Sequence, residues 1–358
     1  MPRTPDIACT RLEHVAAPRQ CLDHTDIPEM IAMRLFAPLL FLLLPATVQA
    51  ACEGSDLRPG LSPDVKSELQ QAVADIPFPE GNHWIATKGD TVLHIVGTLH
   101  ANDPRMDAVV ERLTPTLRDA DAFYFEVTRE EMDAFEQDLA KDMSPVMITT
   151  GPSLIDLMSE EDWSALSQGL AERGIPGWMA AKMRPWFLSM MLGVPPCMMQ
   201  DPSANHGMDA RLDQLADELG TPKHSLEQIA DLMSMFDNHP IEKQVQSLVR
   251  MAGAMGGSED QLATMANAYL EEKHVEIIQL ARLQGLEESG LSPEIFDEEW
   301  NDFEQKLLVE RNGNWMQKIL DIEDQTAVIA VGAGHLGGDQ GLLNQLQQAD
   351  YTLTRAPF

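Results

Sequence analysis

Thr91-Val-Leu-His-Ile-Val-Gly97-Thr-Leu-His100-Ala-Asn102 is an apolar, β-branched run that stops at a glycine and then presents a histidine. Such a run reads as a buried strand, and a glycine at its carboxyl end lets an α/β sheet hold a reactive side chain at its edge. The pattern recurs near the other end of the chain, in Ala327-Val-Ile-Ala-Val-Gly332-Ala-Gly-His335-Leu336, with the same Gly-x-x-His spacing. Two copies, each at the end of a predicted strand and most of the chain apart, imply that His100 and His335 meet in space.

Between the copies, Ala122-Phe-Tyr-Phe-Glu-Val127 has strand composition with Glu126 inside it. Its apolar neighbours predict a buried setting, where an ionised carboxylate costs several kcal/mol unless paired or bound to a cation. Residues 62–75 and 106–117 have helical spacing, and residues 83–96 read as a β-hairpin turning at Lys88-Gly89-Asp90. From 129 to about 324 the pattern is helical, with long segments at 154–173, 207–219, 261–284 and 292–320 and one short strand, Lys223-His-Ser225. Strand character returns at 326–331, followed by a helix at 339–348 and a last strand at 351–355. The expectation is an α/β fold whose mixed central sheet is formed by the N- and C-terminal segments around a large helical insertion.

If the strands ending at Val96, Val127 and Val331 are parallel neighbours, His100, Glu126 and His335 converge at one sheet edge. Two imidazoles and a carboxylate suffice to hold a divalent metal such as Mn, Co or Zn, with a position open for water. Read singly, each histidine is an ordinary strand-end residue. Arg311 fits a role toward a substrate carboxylate or developing oxyanion, or that of a solvated helix residue. Glu227 reads as a further ligand or general base, or as a carboxylate favoured by the start of the next helix. Asp209 carries the same two readings. Asn312 and Trp315 line the cleft or belong to the core, His94 packs inside the sheet, and His206, His224 and His274 lack a shared spacing.

The two Gly-x-x-His motifs and Phe125-Glu126-Val127, with His206-Gly-Met-Asp209, Leu226-Glu227 and Glu310-Arg-Asn-Gly-Asn-Trp315, resemble the TraB/GumN family, whose animal relatives are the Tiki metalloproteases. The resemblance implies an erythromycin-esterase/ChaN-like fold, with His100, Glu126 and His335 matching the metal site proposed for those proteases. It also implies a hydrolase acting on a peptide or small ester. Two readings stay open beside it: a heme- or ligand-binding protein of ChaN type, and a cell-envelope protein without an active site that serves polysaccharide production.

The net charge of −32 is spread along the chain and opposes nucleic acid and anionic membranes as partners. No Gly-x-Ser-x-Gly elbow, His-Glu-x-x-His helix, P-loop, dinucleotide fingerprint or Cys-x-x-Cys is present. Residues 33–50 have the basic start, short apolar run and small residues of a secretory signal peptide, too short to span a membrane. Residues 1–32 fit no part of such a signal, which puts the start at Met33 or Met30; the rival reading is a true N-terminal arm. The remainder, 51–358, is expected to be one exported, periplasmic domain without a membrane span. Cleavage after Ala50 leaves Cys52 and Cys197 of the four cysteines. An even pair in an exported chain implies a disulfide; lipid attachment at Cys52 is the alternative, disfavoured by Gln49 where that signal wants an aliphatic residue.

Overall fold

Parallel strands covered on both faces need apolar residues at nearly every position, and the two Gly-x-x-His runs meet that requirement. The computed structural model describes residues 52–358 apart from 202, 205, 238 and 254–257. The expected over-extended start at 1–32 and the signal peptide at 33–50 lie outside the described residues. Among the described residues, β1 (His83–Lys88), β2 (Thr91–Thr98), β3 (Ala122–Phe125), β4 (Lys223–Ser225), β5 (Thr326–Gly332) and β6 (Thr352–Arg355) form one mixed sheet in the order β4-β3-β5-β2-β1-β6. The hairpin β1–β2 turns through Gly89, whose φ of +61° is the left-handed conformation that a two-residue turn demands.

β5 lies between β2 and β3, parallel to both, with Val92 opposite Thr326 and Thr98 opposite Gly332. The carboxyl ends of β2, β3 and β5 therefore share one edge, as the two motifs implied. Side chains alternate to two cores. Leu93, Ile95, Ile329 and Val331 pack on Trp315, Ile319, Leu342 and Leu346. Val96, Phe123, Val328 and Ala330 face Met106, Leu113, Leu117, Leu212 and Tyr269 on the other side. Burying each of the larger aliphatic side chains contributes about 1.5–3 kcal/mol, so the central strands dominate the energetics of the fold. The helical insertion carries its own core, including Leu154, Leu166, Leu170, Leu188 and Leu248.

Some boundaries differ from the sequence expectation. The helix expected over 154–173 is two, Leu154–Leu157 and Glu160–Glu172, because Ser159 accepts a hydrogen bond from the Asp162 N–H and caps a new start. The 261–284 segment divides into Ser258–Leu270 and His274–Ser289 at Glu272, which adopts φ +62° while its carboxylate accepts from the Asn82 N–H. Glu126 lies one residue beyond β3 and not within it. None of the described helices is long and apolar enough to cross a membrane.

Cys52 and Cys197 are joined by a disulfide across 145 residues, with Cα atoms 5.4 Å apart. Closing a loop of that length is worth about 5 kcal/mol in the chain-entropy account. A sulfur held in this bond is not available to a lipid.

His94 is buried in the sheet, as expected, and is hydrogen-bonded there: its Nδ1 lies 3.3 Å from His83 Nε2. His83 Nδ1 faces the Pro357 carbonyl at 2.8 Å, so it carries the proton there and its Nε2 accepts from His94. His274 is buried against the Asn82 Oδ1 and the Phe78 carbonyl. Burial depresses both His94 and His274 to about 4 from the ordinary 6.5. A depressed folded pKa means that their contribution is complete above pH 6.5 and is lost as pH falls toward 4. Each should forfeit on the order of 2 kcal/mol at pH 5. Urea midpoints at pH 7.5 and pH 5.0 check this, and His94→Asn should make the decline shallower; an equal decline in the variant would contradict it.

Candidate functional site

The β3–β4 ladder continues past both strands, with the Leu226 N–H donating to the Phe125 carbonyl at 2.7 Å and the Glu227 N–H to the Glu126 carbonyl at 3.0 Å. That continuation sets Glu126 and Glu227 side by side at the sheet edge. Between the two carboxylates lies Arg311. Its Nη2 donates to Glu126 Oε2 at 2.6 Å and also to Glu227 Oε1, while its Nε reaches both Glu227 oxygens at 3.0 and 3.1 Å. All three side chains are largely buried, at 8, 13 and 10 % exposure for Arg311, Glu126 and Glu227. Arg311 is therefore not the solvated helix residue that its Glu-rich surroundings allowed, and Glu227 spends its charge on Arg311.

A helical irregularity precedes this arginine. Residues Gln305–Glu310 form a π-helical turn between the helices Pro293–Glu304 and Arg311–Leu320. Single π turns inside α-helices recur at functional sites, because the wider turn rotates the following residues and disturbs the carbonyl ladder. Here the Leu307 carbonyl accepts from Arg311 Nη1 at 3.3 Å, and the guanidinium also lies over the Trp315 ring, 4.7 Å from its centroid.

His335 follows β5 in a short 3₁₀ turn and is buried beside Trp315, ring centroids 4.4 Å apart. Asn312 fixes its tautomer. The Asn312 Nδ2 donates to the carbonyls of His335 and Gln340, so its Oδ1, 2.7 Å from His335 Nδ1, must accept the Nδ1 proton. His335 Nε2 is thus the bare nitrogen, and it accepts from Arg311 Nη1 at 3.2 Å. Burial, reinforced by the Arg311 charge, holds His335 down at about 4, neutral at physiological pH. Burial alone would raise the Glu126 carboxyl, but the charge of His335 once it is protonated, Arg311 and the Gly332 N–H, 2.6 Å from Oε1, outweigh it and bring Glu126 to about 2; with His335 neutral, Arg311 and Gly332 keep Glu126 ionised.

His100 stands at the border of this network. Its ring is 73 % exposed, and its Nδ1 pairs with Asp209 Oδ2 at 2.8 Å. Thr98 Oγ1 donates to the other Asp209 oxygen. The Asp209 charge and hydrogen bond raise the His100 pKa well above the ordinary imidazole value. The approach depends on Gly207, since a Cβ there would lie 2.2 Å from the His100 carbonyl oxygen. Gly207→Ala should consequently expel the His206–Asp209 turn from β2 and cost about 2–4 kcal/mol; a midpoint within 0.5 kcal/mol of wild type by urea unfolding would contradict this contact.

Glu126, Glu227, Arg311 and His335 thus come together in direct contact. His100 joins them through charge, being coupled to Glu126, while its own partner is Asp209. His335 Nε2 is 3.9 Å from Glu126 Oε1. Asp209 read either as a further ligand or base or as a helix-start carboxylate; its orienting role follows from His206-Gly-Met-Asp209 being folded onto Thr98 and His100. Asn312 orients His335 and does not line a cleft. His274 is structural, and His206 and His224 are exposed.

The donor chemistry suits a divalent ion in kind. Glu126 is ionised, and Asn312 and Asp209 each hold a histidine at Nδ1, the support that metal-bound imidazoles require. As arranged, however, His335 Nε2 and Glu126 Oε2 give their lone pairs to Arg311, and no group of three or more His, Cys, Asp or Glu side chains among the described residues is set out as a ready metal site.

A model of the TraB/PrgY/gumN family matches residues 82–355, from the hairpin through β6. No curated protein and no solved structure matches the chain.

Proposed function

From the premise that this chain belongs to the TraB/PrgY/gumN family, we propose that it is an exported, metal-dependent hydrolase of peptide or ester bonds, acting in the periplasm with its site at the shared strand edge. The observation that carries the reading is the pairing of an ionised Glu126 with a neutral His335 whose bare Nε2 faces the same space. His100, Glu126 and His335 would hold the ion, Mn, Co or Zn. Such an ion supplies Lewis acidity and a more acidic water. Asn312 and Asp209 keep the Nδ1 protons of the two histidines in place, Arg311 fixes Glu126 and Glu227, and Glu227 is the residue placed to take up a proton when a substrate disturbs its pairing with Arg311. The reading requires that Arg311 yield His335 Nε2.

One observation favours a second reading, a non-catalytic ligand-binding or polysaccharide-production protein of the same fold: Arg311 already neutralises both carboxylates. Metal analysis of untagged protein prepared without chelator, with a peptide and ester panel, separates the two. The hydrolase should bind one ion per chain, lose turnover to chelator and regain it with Mn, Co or Zn. His100→Ala and His335→Ala should abolish metal content and turnover while far-UV circular dichroism stays unchanged. Wild-type protein that holds no added ion and turns over nothing would sink the hydrolase and leave the binder.

A further inference from the structure

The disulfide is remote from the chemistry in sequence, yet each of its halves is fastened to the segment that carries His100. On one side, the chain leaves Cys197 through the helix Pro196–Gln200 and is soon tied to that segment. The Asn102 N–H donates to the Ala204 carbonyl at 3.0 Å, Asn102 Nδ2 donates to Ser203 Oγ at 3.1 Å, and the Met208 N–H donates to the Leu99 carbonyl at 2.9 Å. Arg211 adds a bond to Asn102 Oδ1 at 3.0 Å, and Asp209 holds Thr98 and His100.

On the other side, Cys52 leads directly onto the helix Ser258–Leu270. Gly54 packs so closely there that a Cβ would lie 2.0 Å from the Glu259 carbonyl oxygen. The Ser55 N–H donates to Asp260 Oδ1 at 2.7 Å, and the Leu57 N–H to Thr264 Oγ1 at 2.8 Å. That same helix grips both ends of the His100 segment: Tyr269 Oη donates to the Gly97 carbonyl at 2.9 Å, and Arg105 Nη1 donates to Asn267 Oδ1 at 2.7 Å.

The contacts close a ring: Gly97 to Arg105, Asn267 and Tyr269, residues 54–57, Cys52–Cys197, Ser203 to Asp209, and back to His100. Four of its members lie open to solvent, the hydrogen bonds of Asn102 to Ser203, His100 to Asp209, Ser55 to Asp260 and Arg105 to Asn267. Exposed bonds of this kind open locally at little cost. The disulfide is the covalent cross-link of the ring, which such local opening leaves intact.

We propose that the Cys52–Cys197 disulfide is a redox-dependent positioning device for His100: oxidised, it clamps Asp209 onto Thr98 and His100; reduced, it releases that clamp while the sheet stays folded. A chain in a thiol-reducing compartment then has a loose His100 segment, and oxidation completes the site. The step is the oxidation of two thiols to a disulfide by a cellular disulfide donor, which is itself reduced to a dithiol as two protons and two electrons leave the cysteines. The consequence for turnover rests on the hydrolase reading; the structural consequence does not.

Hydrogen exchange on the full chain, oxidised and after reduction with a phosphine under native conditions, tests it, with Cys52→Ser and Cys197→Ser as matched variants. Reduction should speed exchange at least tenfold at 98–104 and at 206–211 through local opening that is insensitive to low denaturant, whereas the amides of β1, β5 and the Arg311–Leu320 helix should change only with the global unfolding free energy, which falls as the loop is opened. If the variants fail to fold, reduction of folded wild type still decides the matter. Unchanged exchange at 98–104, or acceleration there with the same denaturant dependence as the sheet amides, would overturn the proposal. Local acceleration in a protein that hydrolyses nothing in either redox state would uphold it and remove the hydrolase.

Discussion

Arg311→Met should lower the unfolding free energy by about 3–5 kcal/mol, the cost of breaking a buried ion pair by removing one partner. The guanidinium is the shared counter-charge of Glu126 and Glu227, and it also donates to His335 Nε2 and the Leu307 carbonyl. Without it, two buried carboxylates face each other, and Glu126 keeps only the Gly332 N–H. The penalty should ease toward pH 5, because a carboxylate deprived of its cation titrates higher and can protonate. Arg311→Met with Glu227→Gln should recover part of the loss. Denaturant unfolding at pH 7.5 and 5.0 measures all three. A loss below about 1 kcal/mol, the range of a surface pair, would contradict a buried triad.

Glu126→Gln should reduce turnover and metal affinity together by about 100-fold or more, since losing a ligand costs at least the 10–100-fold that losing an outer-shell partner does. The substitution keeps the shape of the side chain and an oxygen for the Gly332 N–H, but it turns amide hydrogens toward Arg311 Nη2, where a carboxylate oxygen accepts at 2.6 Å. Circular dichroism should stay near wild type. Parallel measurement of kcat, KM and bound metal distinguishes the cases: unchanged metal with normal kcat would place the chemistry elsewhere.

The parallel core of the fold was legible because β2 and β5 are buried on both faces, so their sequences are apolar throughout and end together at Gly-x-x-His. Convergence of His335 with Glu126 followed from that register alone. The contact of Arg311 with both carboxylates did not, since its direction depends on a π turn whose sequence, Gln305-Lys-Leu-Leu-Val-Glu310, looks like any helix. Glu227 was equivocal for a related reason: one residue before a helix cap, a carboxylate is ordinary until its partner from the far end of the chain is known. The break at Glu272 was hidden because a left-handed non-glycine residue leaves no pattern in the sequence, only a bond from Asn82 that folding supplies. Asp209 needed the close crossing at Gly207, which a single glycine in a loop does not announce.

If one cation site is built on Glu126 and His335 beside Arg311, an added ion must displace the guanidinium from the imidazole. Anomalous diffraction from crystals of the oxidised protein grown with Mn²⁺ would show this displacement. A single strong peak is expected about 2.0–2.4 Å from His335 Nε2 and a Glu126 oxygen, with Arg311 Nη1 withdrawn from the imidazole. A map in which Arg311 keeps both Glu126 and His335, with no ion between them at saturating Mn²⁺, would contradict it.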